Sequence, residues 1–324
     1  MFRNKALIVA YSLAVVFFVS TLVLFWNNRQ LRQQPNSWAL VGEFGFINPT
    51  KIQNINKHFI IDFSGLRKKM DAIIAKYPQK TFVYFNYLAN GGWVGINERE
   101  QFAAASLIKV PLAMTTLKMV EDNKLSLEQR YTLSELDLDD GFGNLYRVGS
   151  DKSFTVDELL EIMLTQSDNT AMRALTNVLR RIGIDDPFSD VYAELGWEIL
   201  PPLVAGETPL SIDYGEISTK VLSNMFLALY NATYVNTAHS EKILEHLSNT
   251  PFNETIPAGL PATIKAAHKI GVSVNEMTFS DCGIVYIPNR HYLLCLGSNG
   301  GDQVRANQFM AEISKAAYDY VISN

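Results

Sequence analysis

The segments of this sequence that favour β-strands lie at two places far apart in the chain, with helical segments between them. Residues 81–88, TFVYFNYL, are rich in aromatic and β-branched side chains, and the NGG that follows favours a turn, so a hairpin is predicted. The segments 265–272, 278–287 and 291–300, after Pro261, predict two or three further antiparallel strands. Because strands satisfy their backbone polar groups by pairing, we expect both groups to share one antiparallel sheet.

Helical patterns flank and separate these strands. Residues 65–77 show helical periodicity that stops at Pro78, and residues 302–323 are amphipathic. Thr155 and Glu158 form a capping box that predicts a helix start. Two further helical patterns, at 169–183 and 218–232, also lie between the two groups of predicted strands.

The order of these elements predicts the domain organisation. We expect an α/β domain over 64–324, with an antiparallel sheet flanked by N- and C-terminal helices. Its α/β part comprises 64–105 and 262–324, and an all-helical part comprises 106–261. No internal repeat or low-complexity tract interrupts the chain.

The N-terminal segment predicts a membrane anchor. Residues 6–26 carry no charge, and a helix of that length spans about 30 Å, the thickness of a bilayer core. A cleaved signal peptide is the alternative, but this run ends in Phe25 and Trp26 rather than in small residues. We therefore expect a retained transmembrane helix in residues 1–26, followed by a tether and lead-in over 27–63.

Charge and residue spacing exclude several classes of function. The formal net charge is −5, and no basic stripe is present, which argues against a nucleic-acid partner. The histidines are scattered, and no Cys/His cluster has metal-ligand spacing. We therefore expect no metal and no cofactor.

The two cysteines, Cys282 and Cys295, are symmetric about the IPNR turn. A two- or four-residue loop centred there places them directly opposite each other in a hairpin. We expect the two side chains to be adjacent. The sequence leaves open whether they form a disulfide, because directly opposed Cβ atoms lie about 4.5–5.5 Å apart and a disulfide prefers about 3.8 Å.

Ser106 and Lys109 are the polar residues of the otherwise apolar run FAAASLIKVPLAM at 102–114. Burying a lysine is costly unless its charge is paired or used. Residues three apart share a helix face, so the amine can reach the hydroxyl, and desolvation lowers a lysine pKa so that it can act as a base. Pro111 is expected to distort this helix locally.

Two more elements lie downstream, Ser167-Asp168-Asn169 after the capped helix and Lys269-x-Gly271 on the first late strand. Together with S-x-x-K, they resemble the active-site set of the class A β-lactamases and penicillin-binding proteins. The resemblance runs from about residue 64 to the C-terminus and includes the GFGNLYRVG loop. It implies a β-lactamase-like fold and acyl transfer through serine.

The resemblance implies catalytic roles for matched residues. Ser106 would attack an amide carbonyl and become acylated, and Lys109 would help to take its proton. Ser167 would pass a proton to the leaving nitrogen. The backbone N–H groups of Ser106 and Val272 would form the oxyanion hole.

It also implies substrate-binding roles. Asn169 would hold the substrate's side-chain amide, and Asp168 would orient the loop from below. Lys269 would attract the substrate carboxylate, and Gly271 would let the substrate backbone approach the strand.

The sequence departs from the family pattern at two points. Ile270 stands where the family has a threonine or serine whose hydroxyl helps to bind the substrate carboxylate. The deacylating glutamate of an E-x-x-L-N loop has no match. Of Glu194, Glu198 and Glu207, Glu198 is the least poor candidate, although a solvated loop residue is the more ordinary interpretation.

The leading functional expectation is a membrane-anchored, extracytoplasmic class A β-lactamase-type hydrolase. It would hydrolyse β-lactams through a Ser106 acyl-enzyme with slow deacylation, a role in β-lactam catabolism and antibiotic resistance. The first alternative is a D,D-peptidase or penicillin-binding protein acting on peptidoglycan peptides. The second is a catalytically silent relative that binds peptidoglycan or another protein.

Overall fold

The computed structural model describes residues 62–195 and 216–324. The α-helices there are α1 Ser64–Ile74, α2 Lys109–Glu121, α3 Val156–Gln166, α4 Asn169–Arg181, α5 Ser189–Glu194, α6 Thr219–Asn231, α7 Thr237–Ser248 and α8 Gln303–Ser323. The strands are β1 Lys80–Tyr87, β2 Gly92–Ile96, β3 Phe102–Ala103, β4 Arg130–Thr132, β5 Ser153–Thr155, β6 Glu216–Ile217, β7 Ala266–Ser273, β8 Thr278–Val285 and β9 Tyr292–Asn299.

The long strands form one antiparallel sheet in the order β2-β1-β9-β8-β7. The predicted hairpin is β1–β2, and β1 pairs directly with β9, where Tyr84 lies opposite Cys295. The expectation that strands from both ends of the domain share one sheet is confirmed. This order leaves β7 at an edge, with one side free of a neighbouring strand in the sheet.

The terminal helices cover the sheet with an apolar core. Leu66 and Met70 of α1, and Phe309 and Ile313 of α8, are one turn apart on their helices and fully buried. They pack in one cluster with sheet residues such as Phe85. Burying each such side chain contributes about 1.5–3 kcal/mol to folding. This cluster therefore stabilises the sheet that contains β7.

The interval 106–261, expected to be all-helical, also contains short strands, and that expectation is wrong in this detail. β4 pairs with β5, and β6 pairs with β3, which lies outside the interval. Each of these strands has two or three residues, too few for an alternating pattern to appear in the sequence.

The predicted capping box is confirmed at the start of α3. The Thr155 hydroxyl accepts a hydrogen bond from the Glu158 N–H at 3.1 Å, and the Glu158 carboxylate accepts one from the Thr155 N–H at 2.7 Å. Two backbone donors that the helix leaves unpaired are thereby satisfied. The capped helix ends at the Ser167-Asp168-Asn169 element.

Cys282 of β8 and Cys295 of β9 are directly paired in the register of the two strands, as expected from their symmetry about the turn. Their Cα atoms are 3.9 Å apart, and the two sulfur atoms are bonded as a disulfide. The bond joins β8, the neighbour of the edge strand β7, to β9, the next strand in the sheet.

Between 62 and 195 and between 216 and 324, the structure contains no helix long and apolar enough to cross a membrane. The apolar run 6–26 lies outside the described residues. The membrane anchor and the extracytoplasmic location therefore stay predictions from the sequence.

Candidate active site

Ser106 lies in a 3₁₀ turn, Ala105–Ile108, that joins β3 to α2. Ala105 has φ 46°, a left-handed conformation that is uncommon outside glycine, and Ser106 follows it half-buried. Lys109 is the first residue of α2, and its Nζ donates to Ser106 Oγ at 3.0 Å. The predicted reach from amine to hydroxyl is confirmed, and the 3₁₀ turn favours it because side chains three apart are eclipsed there.

The local distortion expected at Pro111 is not found within α2, which is one continuous helix over Lys109–Glu121. The α-helix begins only at Lys109, so Pro111 sits in its first turn. Backbone N–H groups of the first turn have no partner within the helix, so a proline there removes no helical hydrogen bond. The irregular geometry lies instead in the 3₁₀ turn that carries Ser106.

The Lys109 amine is buried among oxygen acceptors. Besides Ser106, it donates to the Ser167 carbonyl at 2.5 Å, to Ser167 Oγ at 3.3 Å and to Asn169 Oδ1 at 2.7 Å. Burial lowers the pKa of Lys109 to about 7, while the carboxylates of Asp168 and Asp139 act in the opposite direction. The amine is therefore close to half neutral near pH 7.

Ser167 connects this lysine to the third motif. It caps the C-terminus of α3 in a left-handed conformation, φ 57°, which aims its side chain at the site. Its Oγ accepts from Lys269 Nζ at 2.7 Å as well as from Lys109. One buried hydroxyl thus lies between two amines.

Asp168 holds the loop in front of α4. Its Oδ1 accepts from the Ala171 N–H at 2.9 Å, which caps α4, and its Oδ2 accepts from the Leu145 N–H at 2.8 Å. Gly143 passes so close that a Cβ there would overlap Asp168 Oδ2. The structure explains this glycine of the GFGNLYRVG loop by a close approach.

Lys269 projects from the edge strand β7 and is almost completely buried. Burial, and then the neighbouring Lys109 amine, hold the pKa of Lys269 well below its usual range, while Asp281 opposes this. Its Nζ also contacts the Ile270 carbonyl at 3.4 Å. Its shortest hydrogen bond is to the Ser167 hydroxyl.

Gly271 is required by packing inside the protein. A Cβ at this position would lie 2.5 Å from Ser280 Oγ and 3.1 Å from the Ala104 carbonyl. The absence of a side chain lets β7 lie against the chain that leads into Ser106. This reason differs from the one that the family resemblance implies.

These residues meet at one cavity of about 300 Å³. It is lined by the predicted site residues Ser106, Lys109, Ser167, Asn169 and Val272 together with Ile270. Lys269 is connected to the cavity through its hydrogen bond to Ser167. Asp168 is connected to the adjoining loop through the hydrogen bond that it accepts from the Leu145 N–H. The structure brings the three motifs together at a site large enough for a small ligand.

The deacylating base is not located. Glu198 and Glu207 lie outside the described residues. Glu194 ends α5 and is exposed. Among the described residues, the carboxylates that act on Lys109 are those of Asp168 and Asp139.

Two polar residues at the site, Asp139 and Arg173, were not predicted from the sequence. Asp139 Oδ1 accepts from Asn169 Nδ2 at 3.1 Å, and its Oδ2 lies 2.5 Å from Arg173 Nη2. Arg173 follows Asn169 by one helical turn, which was the available signal, since residues four apart share a helix face. The partner loop could not be identified from spacing. Phe142 and Met172, also not singled out, line the cavity.

A family model matches most of the chain. It is described as the beta-lactamase enzyme family, and the match covers residues 65–321. No curated protein sequence matches the chain.

Solved structures share the fold. PBP-A is 22% identical with a TM-score of 0.71, over 83% of this chain and 100% of that chain. A PBP-A variant in an acyl-enzyme complex with penicillin G is 23% identical with a TM-score of 0.70, over 81% and 97%. A β-lactamase from Sphaerobacter thermophilus DSM 20745 is 22% identical with a TM-score of 0.70, over 82% and 99%.

The low identities limit these structural likenesses to the fold. The family match covers most of the chain and includes all three motifs that line the cavity. The chain therefore belongs to the beta-lactamase enzyme family, as a serine hydrolase of the class A type.

Proposed function

We propose that the protein forms an acyl-enzyme through Ser106 with a β-lactam or a related amide. The observation that carries this proposal is the placement of Lys109 Nζ between the hydroxyls of Ser106 and Ser167. Burial shifts this amine toward its neutral form, in which its lone pair accepts the Ser106 proton. The amine is thus both near the nucleophile and able to activate it.

The acylation step moves one net proton from the Ser106 hydroxyl to the leaving nitrogen, by way of Lys109 and Ser167. Ser106 Oγ bonds to the carbonyl carbon while Lys109 takes its proton. Ser106 and Val272 both line the cavity, and in this proposal their backbone N–H groups stabilise the oxyanion. When the C–N bond breaks, the leaving nitrogen takes a proton from the Ser167 hydroxyl, which regains one from the Lys109 ammonium. The products are a serine ester and a protonated leaving group.

We further propose that hydrolysis of this ester is slow. Deacylation needs a positioned base that activates water. In the described part of the site, both Asp168 and Asp139 have their oxygens occupied by backbone or side-chain donors. This supports a long-lived acyl-enzyme. Long-lived acylation is the behaviour of a penicillin-binding protein, which is the closest alternative to an efficient β-lactamase. PBP-A, whose structure is similar, has a variant captured as a penicillin acyl-enzyme.

The experiment is covalent labelling with a fluorescent penicillin. Wild-type protein and the Ser273→Ala variant should be labelled, because Ser273 is a hydroxyl of the same cavity without an assigned role. Ser106→Ala should abolish labelling, and mass spectrometry of wild-type peptides should place the adduct on Ser106. Persistent labelling of Ser106→Ala would show that another residue is the nucleophile. No labelling of the wild-type protein would favour a catalytically silent binder.

A further inference from the structure

We propose that Asp139 is a positioning residue for acylation, acting on Lys109 through the side-chain amide of Asn169. This inference rests on the proposed function, since it concerns the efficiency of the Ser106 acylation step. Asp139 belongs to none of the three sequence motifs. The tertiary structure alone brings it to the site.

A continuous chain of hydrogen bonds leads from Asp139 to the nucleophile. Asp139 Oδ1 accepts from Asn169 Nδ2 at 3.1 Å, and Asn169 Oδ1 accepts from Lys109 Nζ at 2.7 Å. Lys109 Nζ in turn contacts Ser106 Oγ at 3.0 Å. The amide of Asn169 has a donor end and an acceptor end, so a carboxylate at the donor end fixes which end faces the lysine.

Asp139 is itself held on several sides. Its Oδ2 pairs with Arg173 at 2.5 Å, its Oδ1 accepts from the Gly141 N–H at 2.8 Å, and its own N–H donates to Thr170 Oγ1 at 3.0 Å. Its side chain is 15% exposed. A carboxylate tied to both a helix and a loop orients the amide better than a mobile one.

The packing around this bond leaves little freedom. A Cβ on Gly141 would lie 2.9 Å from Asp139 Oδ1 and 3.3 Å from Asn169 Nδ2. The loop therefore passes directly over the carboxylate–amide contact. Gly141 and Asn169 both line the cavity, so the contact lies at the wall of the site.

The charge of Asp139 gives this role a measurable signature. Within the described part of the chain, Asp168 and Asp139 raise the pKa of the Lys109 amine, and the amine of Lys269 faces it across Ser167. Removing the Asp139 charge lowers the Lys109 pKa. Removing the Arg173 charge, which offsets that of Asp139, raises it. A base is active only when it is neutral, so each change moves the rising limb of the pH profile.

The experiment measures single-turnover acylation of the full-length chain by a fluorescent penicillin from about pH 5 to about pH 9. For wild type, the rate should rise with a midpoint near the Lys109 pKa of about 7. The matched control is Asp140→Asn, because Asp140 is the adjacent carboxylate and is exposed to screening by solvent. It should reproduce the wild-type midpoint and plateau.

The site variants should differ from this control in opposite directions. Asp139→Asn keeps an acceptor for Asn169 and should move the midpoint to lower pH with a small loss of plateau. Asp139→Ala also removes the contact and should lower the plateau by about 10²-fold. Arg173→Gln should move the midpoint to higher pH. General damage to the fold does not produce shifts of opposite sign.

Two results would overturn the inference. One is an Asp139→Ala variant whose midpoint and plateau match those of Asp140→Asn. The other is a lower plateau with unchanged midpoints in all variants, which would indicate a structural role only. The failure of the proposed function is distinguishable, because then wild-type protein is unlabelled or is labelled away from Ser106.

Discussion

At the scale of single residues, the site consists of two buried amines separated by one hydroxyl. Lys109 and Lys269 both contact Ser167 Oγ, at 3.3 and 2.7 Å. Two ammonium groups this close repel each other, and burial penalises each charge further. The pair therefore favours states in which at most one of the two amines is protonated. That balance suits the proposed acylation step, in which Lys109 accepts a proton from Ser106 and returns it toward the leaving nitrogen.

Ile270 is the residue at which this cavity departs most plainly from the family pattern. It lines the cavity beside Lys269 and offers no hydroxyl to a substrate carboxylate. Ile270→Thr supplies one, and a hydrogen bond to a charged group is worth about 1.5–3 kcal/mol. We expect kcat/KM for a penicillin to rise by about one to two powers of ten.

Ile270→Val is the matched control for this prediction, because valine has the shape of threonine without the hydroxyl. Its kcat/KM should stay near that of wild type. Stopped-flow acylation of the three proteins makes the comparison. Equal rates for the threonine and valine variants would show that the hydroxyl contributes no binding here.

At the scale of elements, the loop 137–149 links the capped helices to the site. Its Gly143 has φ +92° and lies against Asp168, while Gly149 has φ +77° and open space within 4 Å of the point where a Cβ would lie. Both positions disfavour side chains by about 1–3 kcal/mol of backbone strain. Only at Gly143 does a side chain also displace the buried carboxylate.

These two glycines allow a paired test. Gly149→Ala should lower the free energy of unfolding by the strain alone and leave the acylation rate unchanged. Gly143→Ala should lower it further and also slow acylation, because Asp168 anchors the loop through the Leu145 N–H. Urea unfolding and labelling rates measure both effects. Equal losses in the two variants would mean that the contact with Asp168 has no role in orienting the loop.

At the scale of the whole molecule, the described domain assembles the parts that acylation needs. The proposed nucleophile Ser106 and its proposed base Lys109 come from the chain after β3. The proposed proton donor Ser167 comes from the junction of α3 and α4, and Lys269 comes from β7. The described residues place no unoccupied carboxylate in contact with Lys109 or Ser167. Glu198 lies outside that part of the chain.

We therefore expect deacylation to limit turnover of penicillins and cephalosporins. Loss of a positioned base typically costs about 10²–10⁴-fold in rate. Stopped-flow hydrolysis of a chromogenic cephalosporin should show a burst of one product per enzyme and then a slow steady state. Glu198→Gln should change the steady state only modestly. Fast turnover without a burst, lost in Glu198→Gln, would identify an efficient β-lactamase with Glu198 as its base.

The features that the sequence determined by itself depend on nearby residues. The Thr155–Glu158 box, the reach from Lys109 to Ser106 and the opposition of Cys282 and Cys295 all follow from helix, turn or hairpin geometry over a few positions. The shared sheet also followed, because isolated hairpins need partners to bury their faces. The membrane anchor at residues 6–26 and the candidacy of Glu198 as the deacylating base stay predictions from the sequence.

Tertiary structure alone decided the contacts between distant segments. Lys269 meets Ser167 across a sequence separation of 102, and Asp139 meets Asn169 across 30. Their partners depend on how the edge of the sheet and a loop pack against α3 and α4, and no local periodicity specifies such distances. The low pKa of Lys109 has the same origin, since it follows mainly from burial, which exists only once these segments have packed.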